Sequence, residues 1–566
     1  MEKIWLKSYP EGMPAEVDVG AFASLRDFLG QSCARFAALP AYSNMGTTIS
    51  YEQLDKASRD FGAALQQRLG LRKGDRVAIM LPNLLQYPVT MFGALRAGLT
   101  VVNVNPMYTA RELEHQLKDS GASAIVVLEN FAHTLQEVLQ RNPGMSLKVV
   151  VSAVGDMLPL VKEVVTNLVV RHVKHMVPEW DIPEALHWHK LLHEGAHQSL
   201  EEVPLSGDDT AFLQYTGGTT GVAKGAVLSH RNLVANVQQL SAWIARDMKD
   251  GEETAVVPLP LYHVYALTCN MAYLKIGAHV VLITNPRDLP DFIGVLKKTP
   301  VTTMIGVNTL YRALLDAPGF ADVDLKHLKV SSAGGMAVQH VVAERWKART
   351  GVPLIEGYGL TETSPVVSSN RLDIEDWTGT IGMPLPNTEV AILDDAGLEL
   401  PLGAVGELCV RGPQVMQGYW QRPEETAMAF TADGWLRTGD MASMDERGYL
   451  RITDRKKDMV IVSGFKVFPN EVEDVVAMLP GVLESAVVGV PDEKTGEAVK
   501  LVLVRKDPTL TEQAVLAHCR DHLTPYKVPK QLEFRTEPLP KSPIGKILRR
   551  ELRDAMLQPG ATPGGH

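Results

Sequence analysis

Residues 213–225, LQYTGGTTGVAKG, set small, hydroxylated and glycine residues around a single cation, Lys224. Gly217, Gly218, Gly221 and Gly225 allow the backbone φ > 0 and close approach to a ligand. Successive N–H groups in such a turn converge into an anion-binding nest. Thr216, Thr219 and Thr220 add hydroxyl donors suited to phosphate oxygens. The competing reading is a flexible Gly/Thr surface loop. It is weaker, because glycines, hydroxyls and a lone lysine are packed together directly after an apolar segment. The stretch is not a Walker A loop, which needs Gly-Lys-Ser/Thr in succession. Here Lys224 stands three residues beyond Gly221 and is followed by Gly225.

Five more stretches hold groups able to do chemistry: PLYH at 260–263, SSAGGM at 331–336, EGYGLTE at 356–362, GWLRTGD at 434–440 with Asp454 and Arg455 beyond it, and PKSPIGK at 540–546. Singly, each is ordinary. A lone histidine such as His263 is usually a satisfied core residue, and a lone Tyr-Gly is usually a turn. Their joint occurrence in this order is what carries weight.

The elements that must position them alternate helix and strand. The spacing predicts helices over 51–69, 86–97 and 111–118, and apolar strands over 76–81, 99–105, 123–128 and 148–152. Beyond the Gly/Thr loop, Ser229 is a fair N-cap for a helix over 230–248. Strands are expected at 254–259, 279–284, 302–307 and 329–332, and helices at 288–298 and 338–350. Repeated βα units with continuous apolar strands imply parallel sheets covered on both faces. Over 377–451 short strands separated by Gly, Pro and Asp suggest a small β-barrel or distorted sheet. A compact α+β segment follows to 553. The fold class is therefore α/β: a large N-terminal region of parallel subdomains with a β-rich part, and a small mobile α+β C-terminal domain. The domain reading is 1–455, 456–553 and a disordered tail, 554–566.

Residues 156–179 stand apart, with an apolar set of Leu158, Val161, Val164, Val165, Leu168 and Val169 at helical spacing. Arg171, His172, Lys174 and His175 gather towards the end. The plainer reading packs the apolar side on its own domain and leaves the basic end solvated. The alternative is a basic amphipathic helix on an anionic membrane surface.

A length of 566 residues exceeds a single core, and 45% hydrophobic with 22% charged residues is ordinary for a globular chain. The net charge of −10 argues against nucleic acid as a partner. Cys33, Cys269, Cys409 and Cys519 are scattered, so neither a disulfide framework nor a zinc site is expected, and a cytoplasmic location is. The first residues lack the apolar core of a secretory signal. The apolar run 256–274 is interrupted by Pro258, Pro260, Tyr262 and His263 and reads as core rather than a membrane span.

In their order, these motifs resemble the adenylate-forming enzymes: acyl-CoA synthetases, luciferases and peptide-synthetase adenylation domains. The resemblance covers about 47–553. Residues 433–473, DGWLRTGDMASMDERGYLRITDRKKDMVIVSGFKVFPNEVE, look most like bacterial long-chain fatty-acid–CoA ligases, with Phe468 where an aromatic is usual. The resemblance implies ATP-dependent activation of a long-chain fatty acid to acyl-CoA through acyl-AMP, feeding fatty-acid degradation or lipid synthesis. The same chemistry on a medium-chain or aryl acid is the alternative. A fatty-acid-binding or uptake protein with vestigial catalysis is another, against which intact Glu362, Asp440, Arg455 and Lys546 speak. Nothing in these residues marks the oxygen chemistry of luciferases.

The resemblance also implies roles. Leu213, Gln214, Tyr215, Thr216, Gly217, Gly218, Thr219, Thr220, Gly221, Val222, Ala223 and Lys224 hold the β- and γ-phosphates. Glu362, joined by Thr216, ligates Mg²⁺. Gly334, Gly335, Glu356, Gly357, Tyr358, Gly359 and Thr361 form the nucleoside slot, with Tyr358 stacking on adenine. Asp440 and Arg455 hold the ribose, and Lys546 bridges the attacking carboxylate and the α-phosphate. No general base is needed, since a carboxylate is already an anion at neutral pH. His263 and Val307 line the carboxylate end of the acyl pocket, Lys457 is the hinge, and Ser463, Gly464 and Phe465 approach CoA after the C-terminal domain rotates. Fatty acid, ATP and CoA are the expected partners. Peripheral contact with the inner face of the membrane, and a homodimer, complete the expectations.

Overall fold

Apolar, β-branched runs such as Arg76–Met80 (RVAIM) and Ala124–Leu128 (AIVVL) form strands buried on both faces, as parallel sheets demand. In the computed structural model, residues 2–216, 223–543 and 545–557 are described. Gly217, Gly218, Thr219, Thr220, Gly221 and Val222, and the segment 558–566 expected to be tail, lie outside them.

One sheet of eight strands runs in the order Gly418–Tyr419, Lys224–Ser229, Thr210–Thr216, Thr100–Asn103, Arg76–Met80, Ala124–Leu128, Lys148–Ser152, Leu186–His187. It is parallel from Thr210–Thr216 onward, in registers such as Val102↔Leu213 and Ala78↔Ile125, with two antiparallel strands at the other edge. A second sheet of nine strands has a parallel centre comprising Leu354–Gly359, Val330–Ala333, Thr303–Gly306, Thr254–Val257 and His279–Leu282. Strands of both sheets share one hydrophobic cluster with the helices Tyr51–Gln67 and Gln86–Arg96, and every residue of the latter is buried. The helix His230–Ile244 starts where expected. Ser229 Oγ accepts the Asn232 N–H at 3.2 Å, and Asn232 Oδ1 accepts the Ser229 N–H at 2.9 Å.

Residues 377–451 hold short strands, as their turn spacing predicts. Glu389–Leu393, Gly406–Arg411, Leu436–Met444 and Leu450–Arg455 make a four-stranded antiparallel sheet, the distorted-sheet form of the expectation. Beyond it, five strands and the helices Pro469–Ala477 and Glu512–His522 build the C-terminal unit around its own apolar cluster. The last helix, Arg549–Leu557, makes 554–557 its final turn rather than the start of a tail. Leu552 anchors this helix in a buried cluster.

The segment 156–179 departs from the plainer reading. Its α-helix, Leu160–Leu168, passes into a π-turn, Val169–Val173, and neither contains a buried residue. The polar side faces the protein: Asn167 Oδ1 accepts the Gly155 N–H at 2.8 Å, and Arg171 donates to Glu129 Oε2 at 2.6 and 2.9 Å. Leu160, Val161, Val164, Val165, Leu168, Val173 and Met176 point to solvent. The domain surface beneath the helix is polar, so apolar side chains find no core there.

Candidate active site

The motifs converge because the parallel strands of both sheets deliver their carboxyl ends to one crevice, where α/β proteins bind ligands. A cavity of about 700 Å³ opens there, lined by Thr216, Ser332, Gly334, Gly335 and the segment 357–362 among others. Close approach is built in: a Cβ at Gly359 would lie 1.9 Å from the Pro365 carbonyl oxygen, so no side chain fits.

The ends of the Gly/Thr loop are pinned by the antiparallel ladder, which sets Thr216 opposite Lys224. Both line the cavity. The Lys224 ammonium lies 5.4 Å from the centre of the Tyr419 ring, and Tyr419 OH donates to Glu362 Oε1 at 2.7 Å. Glu362, on the turn Thr361–Thr363, thus has one oxygen fixed by a phenol, and its side chain lines the cavity. The side chains of Leu213, Gln214 and Tyr215 point elsewhere. Leu213 is core, Gln214 Nε2 donates to the Tyr262 carbonyl at 2.7 Å, and Tyr215 OH donates to Asp119 at 2.7 Å. Of the expected phosphate segment, Thr216 and Lys224 are the described residues that line the cavity; Ala223 gives its carbonyl oxygen to His115.

Asp440 is buried, and both its oxygens are engaged. Tyr358 OH donates to Oδ2 at 2.6 Å, and Arg455 Nε lies 3.1 Å from Oδ1. Burial, then Asp440, pushes the Tyr358 phenol far above its ordinary range, so it remains a donor. Strand register places Asp440 directly opposite Arg455. Glu356 sits differently from expectation. Its carboxylate accepts the Val338 N–H at 3.0 Å and Trp377 Nε1–H at 2.6 Å and is absent from the cavity wall. Burial pushes it up to about 7. A buried acceptor that staples a neighbouring loop is its visible role.

From the other side comes Lys546, the one described residue beyond Arg455 in the cavity wall. Its arm is seated by Gly545, whose φ of +83° and close contact exclude a side chain: a Cβ would lie 2.6 Å from Thr309 Oγ1. Thr309 Oγ1 also donates to the Gly545 carbonyl at 3.3 Å. Among the described residues no carboxylate lies within ion-pairing distance of the Lys546 ammonium. Burial, then the Arg455 charge, pushes it down to about 8. His263 faces the same space. Burial, then Lys546, pushes it down to about 4, so the ring is neutral. Its Nδ1 accepts the Tyr265 N–H at 3.3 Å, leaving the proton on Nε2. Val307 is buried beneath Gly545 and, like Asp440, is not among the residues of the cavity wall.

The far end of the cavity is apolar. Leu240, Trp243 and Ile244 of one helix face Cys269, Ala272 and Tyr273 of the helix Val264–Lys275. Trp243 is fixed by donating to the Asn370 carbonyl at 3.0 Å. Sequence reasoning left this wall unplaced. The departure that could have revealed it is the helix Val264–Lys275, apolar on all sides yet carrying small and polarisable residues. Tyr419 was missed as well.

Ser463 and Gly464 form a two-residue hairpin turn, both with positive φ, and Phe465 stacks on Tyr526 at 4.9 Å. They lie on the C-terminal unit, outside the cavity wall, and Lys457 is exposed on the segment joining the two units. The arrangement can hold a polyanion beside Lys224, Arg455 and Lys546 while an apolar chain fills the other end.

Residues 29–420 match the AMP-binding enzyme family, and residues 471–546 match the AMP-binding enzyme C-terminal domain. The chain is 54% identical over 555 residues to a long-chain-fatty-acid–CoA ligase of Escherichia coli O6:H1, covering 98% of each. It superposes on the anthranilate CoA ligase AuaEII in complex with anthranoyl-AMP with a TM-score of 0.84 at 26% identity, covering 96% of this chain and 99% of that one. For ATP-bound MatB from Rhodopseudomonas palustris the TM-score is 0.79 at 28% identity, covering 94% and 98%. The two matched regions flank residues 421–470, which hold Asp440 and Arg455, the second ends on Lys546, and the chain belongs to the AMP-binding enzymes.

Proposed function

We propose that this chain joins long-chain fatty acids to coenzyme A in two steps at the cavity described above. One observation carries the reading: the cavity has an apolar end walled by two helices and a cationic end completed by Lys546 from the C-terminal unit. In the first step a carboxylate oxygen attacks the α-phosphorus of ATP, the bond to the β-phosphate breaks, and pyrophosphate leaves with acyl-AMP formed. In the second, the sulfur of CoA attacks the acyl carbon and AMP leaves. Lys546 faces the charge that builds on the α-phosphate. His263 offers its Nε2–H towards the carboxylate end, Lys224 and Thr216 face the outer phosphates, and Asp440 with Arg455 meets the ribose. Tyr358 lines the adenine slot.

Glu362 and Thr216 offer only oxygen donors, which suits Mg²⁺. Among the described residues there is no cluster of three or more carboxylate, histidine or cysteine ligands. An ion held by one carboxylate and the substrate phosphates is what such a set fits. When bound, it neutralises phosphate charge. The Tyr419 hydrogen bond then aims the Glu362 carboxylate. Ser463, Gly464 and Phe465 meet CoA once the C-terminal unit turns about Lys457. Contact with the inner face of a membrane belongs to this reading.

The test is pyrophosphate release with ATP and palmitate, followed by CoA-dependent thioester formation. Absence of thioester with every medium- and long-chain acid overturns the reading. Enlarging the tunnel wall with Ala272→Phe is expected to shift preference towards shorter chains. If two or three CH₂ groups lose burial at about 0.8 kcal/mol each, kcat/KM for palmitate relative to octanoate falls about thirtyfold. A parallel drop for both acids removes Ala272 from the acyl path.

Adenylation requires Lys546 as the ammonium, and its pKa in the closed protein is about 8. The kcat/KM of ATP–pyrophosphate exchange is therefore expected to decline as pH rises through that value. The limb should vanish in Lys546→Arg, whose guanidinium stays charged. A limb that persists in this variant assigns the titration to another group.

A further inference from the structure

We propose that the helical segment 160–176 is a docking surface for an anionic lipid membrane. A surface helix ordinarily buries its apolar stripe. Here Leu160 is 73%, Val161 77% and Val173 71% exposed. The stripe recurs at the spacing of one helix face. It is held outward rather than left loose. On the opposite face Asn167 and Arg171 are bonded to the domain, and Glu163 lies 3.3 Å from His189. Beneath lies a second cavity of about 470 Å³, whose wall is made mostly of charged and polar side chains such as Glu129, Asp156, Glu163 and His193. Rolling the helix inward would break those bonds and desolvate the charged groups, against little apolar surface gained.

Charge selects the occupant. The chain carries a net −10, yet the basic residues His172, Lys174 and His175 cluster exposed at the end of the stripe, beside Arg171, which is held by Glu129. An apolar stripe ending in cations matches the boundary between acyl chains and anionic headgroups. A second copy meeting this face across a two-fold axis would bring like charges together. Among the described residues no helix is long and apolar enough to cross a membrane, so the segment lies on the surface. The inference rests on the proposed fatty-acid chemistry only for its purpose, since that substrate partitions into the same phase.

The test is co-sedimentation of the full chain with vesicles of phosphatidylcholine and phosphatidylglycerol in equal amounts, against phosphatidylcholine alone. The paired substitutions Val161→Glu and Val165→Glu are expected to lower binding to the anionic vesicles about tenfold or more. Lys174→Glu should lower it severalfold, and added salt should weaken the wild type. Thermal unfolding and thioester formation from octanoate without vesicles should stay unchanged, because these side chains lie outside the catalytic cavity. Unchanged vesicle binding of the paired variant overturns the proposal, as does equal wild-type binding to neutral and anionic vesicles. A vesicle-free dimer abolished by the same substitutions would assign the stripe to a second copy instead. Loss of thioester formation with vesicle binding intact would count against the catalytic reading and leave this one standing.

Discussion

Lys546→Ala is expected to slow acyl-adenylate formation by about two to three orders of magnitude, the usual loss on removing one preorganised donor to developing charge. The structure makes this a clean test. Lys546 is the one described residue of the C-terminal unit in the cavity wall, and its ammonium has no carboxylate partner to mask the loss. The alanine variant leaves the proposed ribose contact of the large unit in place, since Asp440 is held by Tyr358 and Arg455 independently of the lysine. ATP–pyrophosphate exchange should therefore collapse with little change in KM for ATP. Thioester formation from supplied acyl-AMP and CoA should persist, because that step is proposed to use the face of the C-terminal unit that carries Ser463, Gly464 and Phe465. Equal loss in both half-reactions would falsify the role given to Lys546.

The largest expected effect on stability lies at Arg549, three residues beyond the lysine. Its Nε and Nη2 donate to Glu473 at 2.9 and 2.6 Å, Nη2 also reaches Asn470, and Nη1 lies 3.2 Å from Asp454 and 3.9 Å from Asp458. Burial disfavours the guanidinium charge, but Glu473 and Asp454 outweigh it and raise its pKa. Arg549→Met strands the buried Asp454 and the part-buried Glu473, at a cost of about 3–5 kcal/mol. Thermal or denaturant unfolding of the C-terminal unit, followed as its own transition, reads this directly. The sign of the pH dependence follows from Asp454, which burial pushes up to about 6 despite Arg549. Protonated, it no longer needs the guanidinium; since losing Arg549 raises the Asp454 pKa further, the penalty should be smallest below about 6 and grow as pH rises above it. A penalty that does not vary with pH would point to lost packing rather than stranded charge.

Much of the frame was legible because parallel-sheet strands advertise themselves. AIVVL at 124–128 can hardly be anything but a doubly covered strand, and Ser229 with Asn232 sets a helix start by hydrogen-bonding chemistry alone. The motifs do meet at one cavity, but only some of their side chains reach its wall. Leu213, Gln214 and Tyr215 share the segment expected to hold phosphates, but their side chains are spent on the core, on Tyr262 and on Asp119. The apolar cavity wall was hidden because Leu240, Trp243 and Ile244 look like ordinary core positions; only tertiary packing leaves space in front of them. Arg549 was hidden inside an Arg-Arg pair that reads as a solvated helix start. The outward helix defeated periodicity altogether, since a hydrophobic pattern gives the width of a stripe and not the direction it faces.

Asp454 and Arg455 are neighbours on the strand Leu450–Arg455, whose pleat sends them to opposite faces. Arg455 serves the carboxylate proposed to hold the ribose, while Asp454 grips the arm that carries Lys546. Two binding events therefore share one rigid dipeptide, and thermodynamic reciprocity applies: whatever factor ATP contributes to holding the C-terminal unit closed, closure returns to the affinity for ATP. The C-terminal unit is in this sense part of the first substrate's binding constant. A change at Asp454, which touches no nucleotide atom, should register as weaker ATP binding before any chemistry begins.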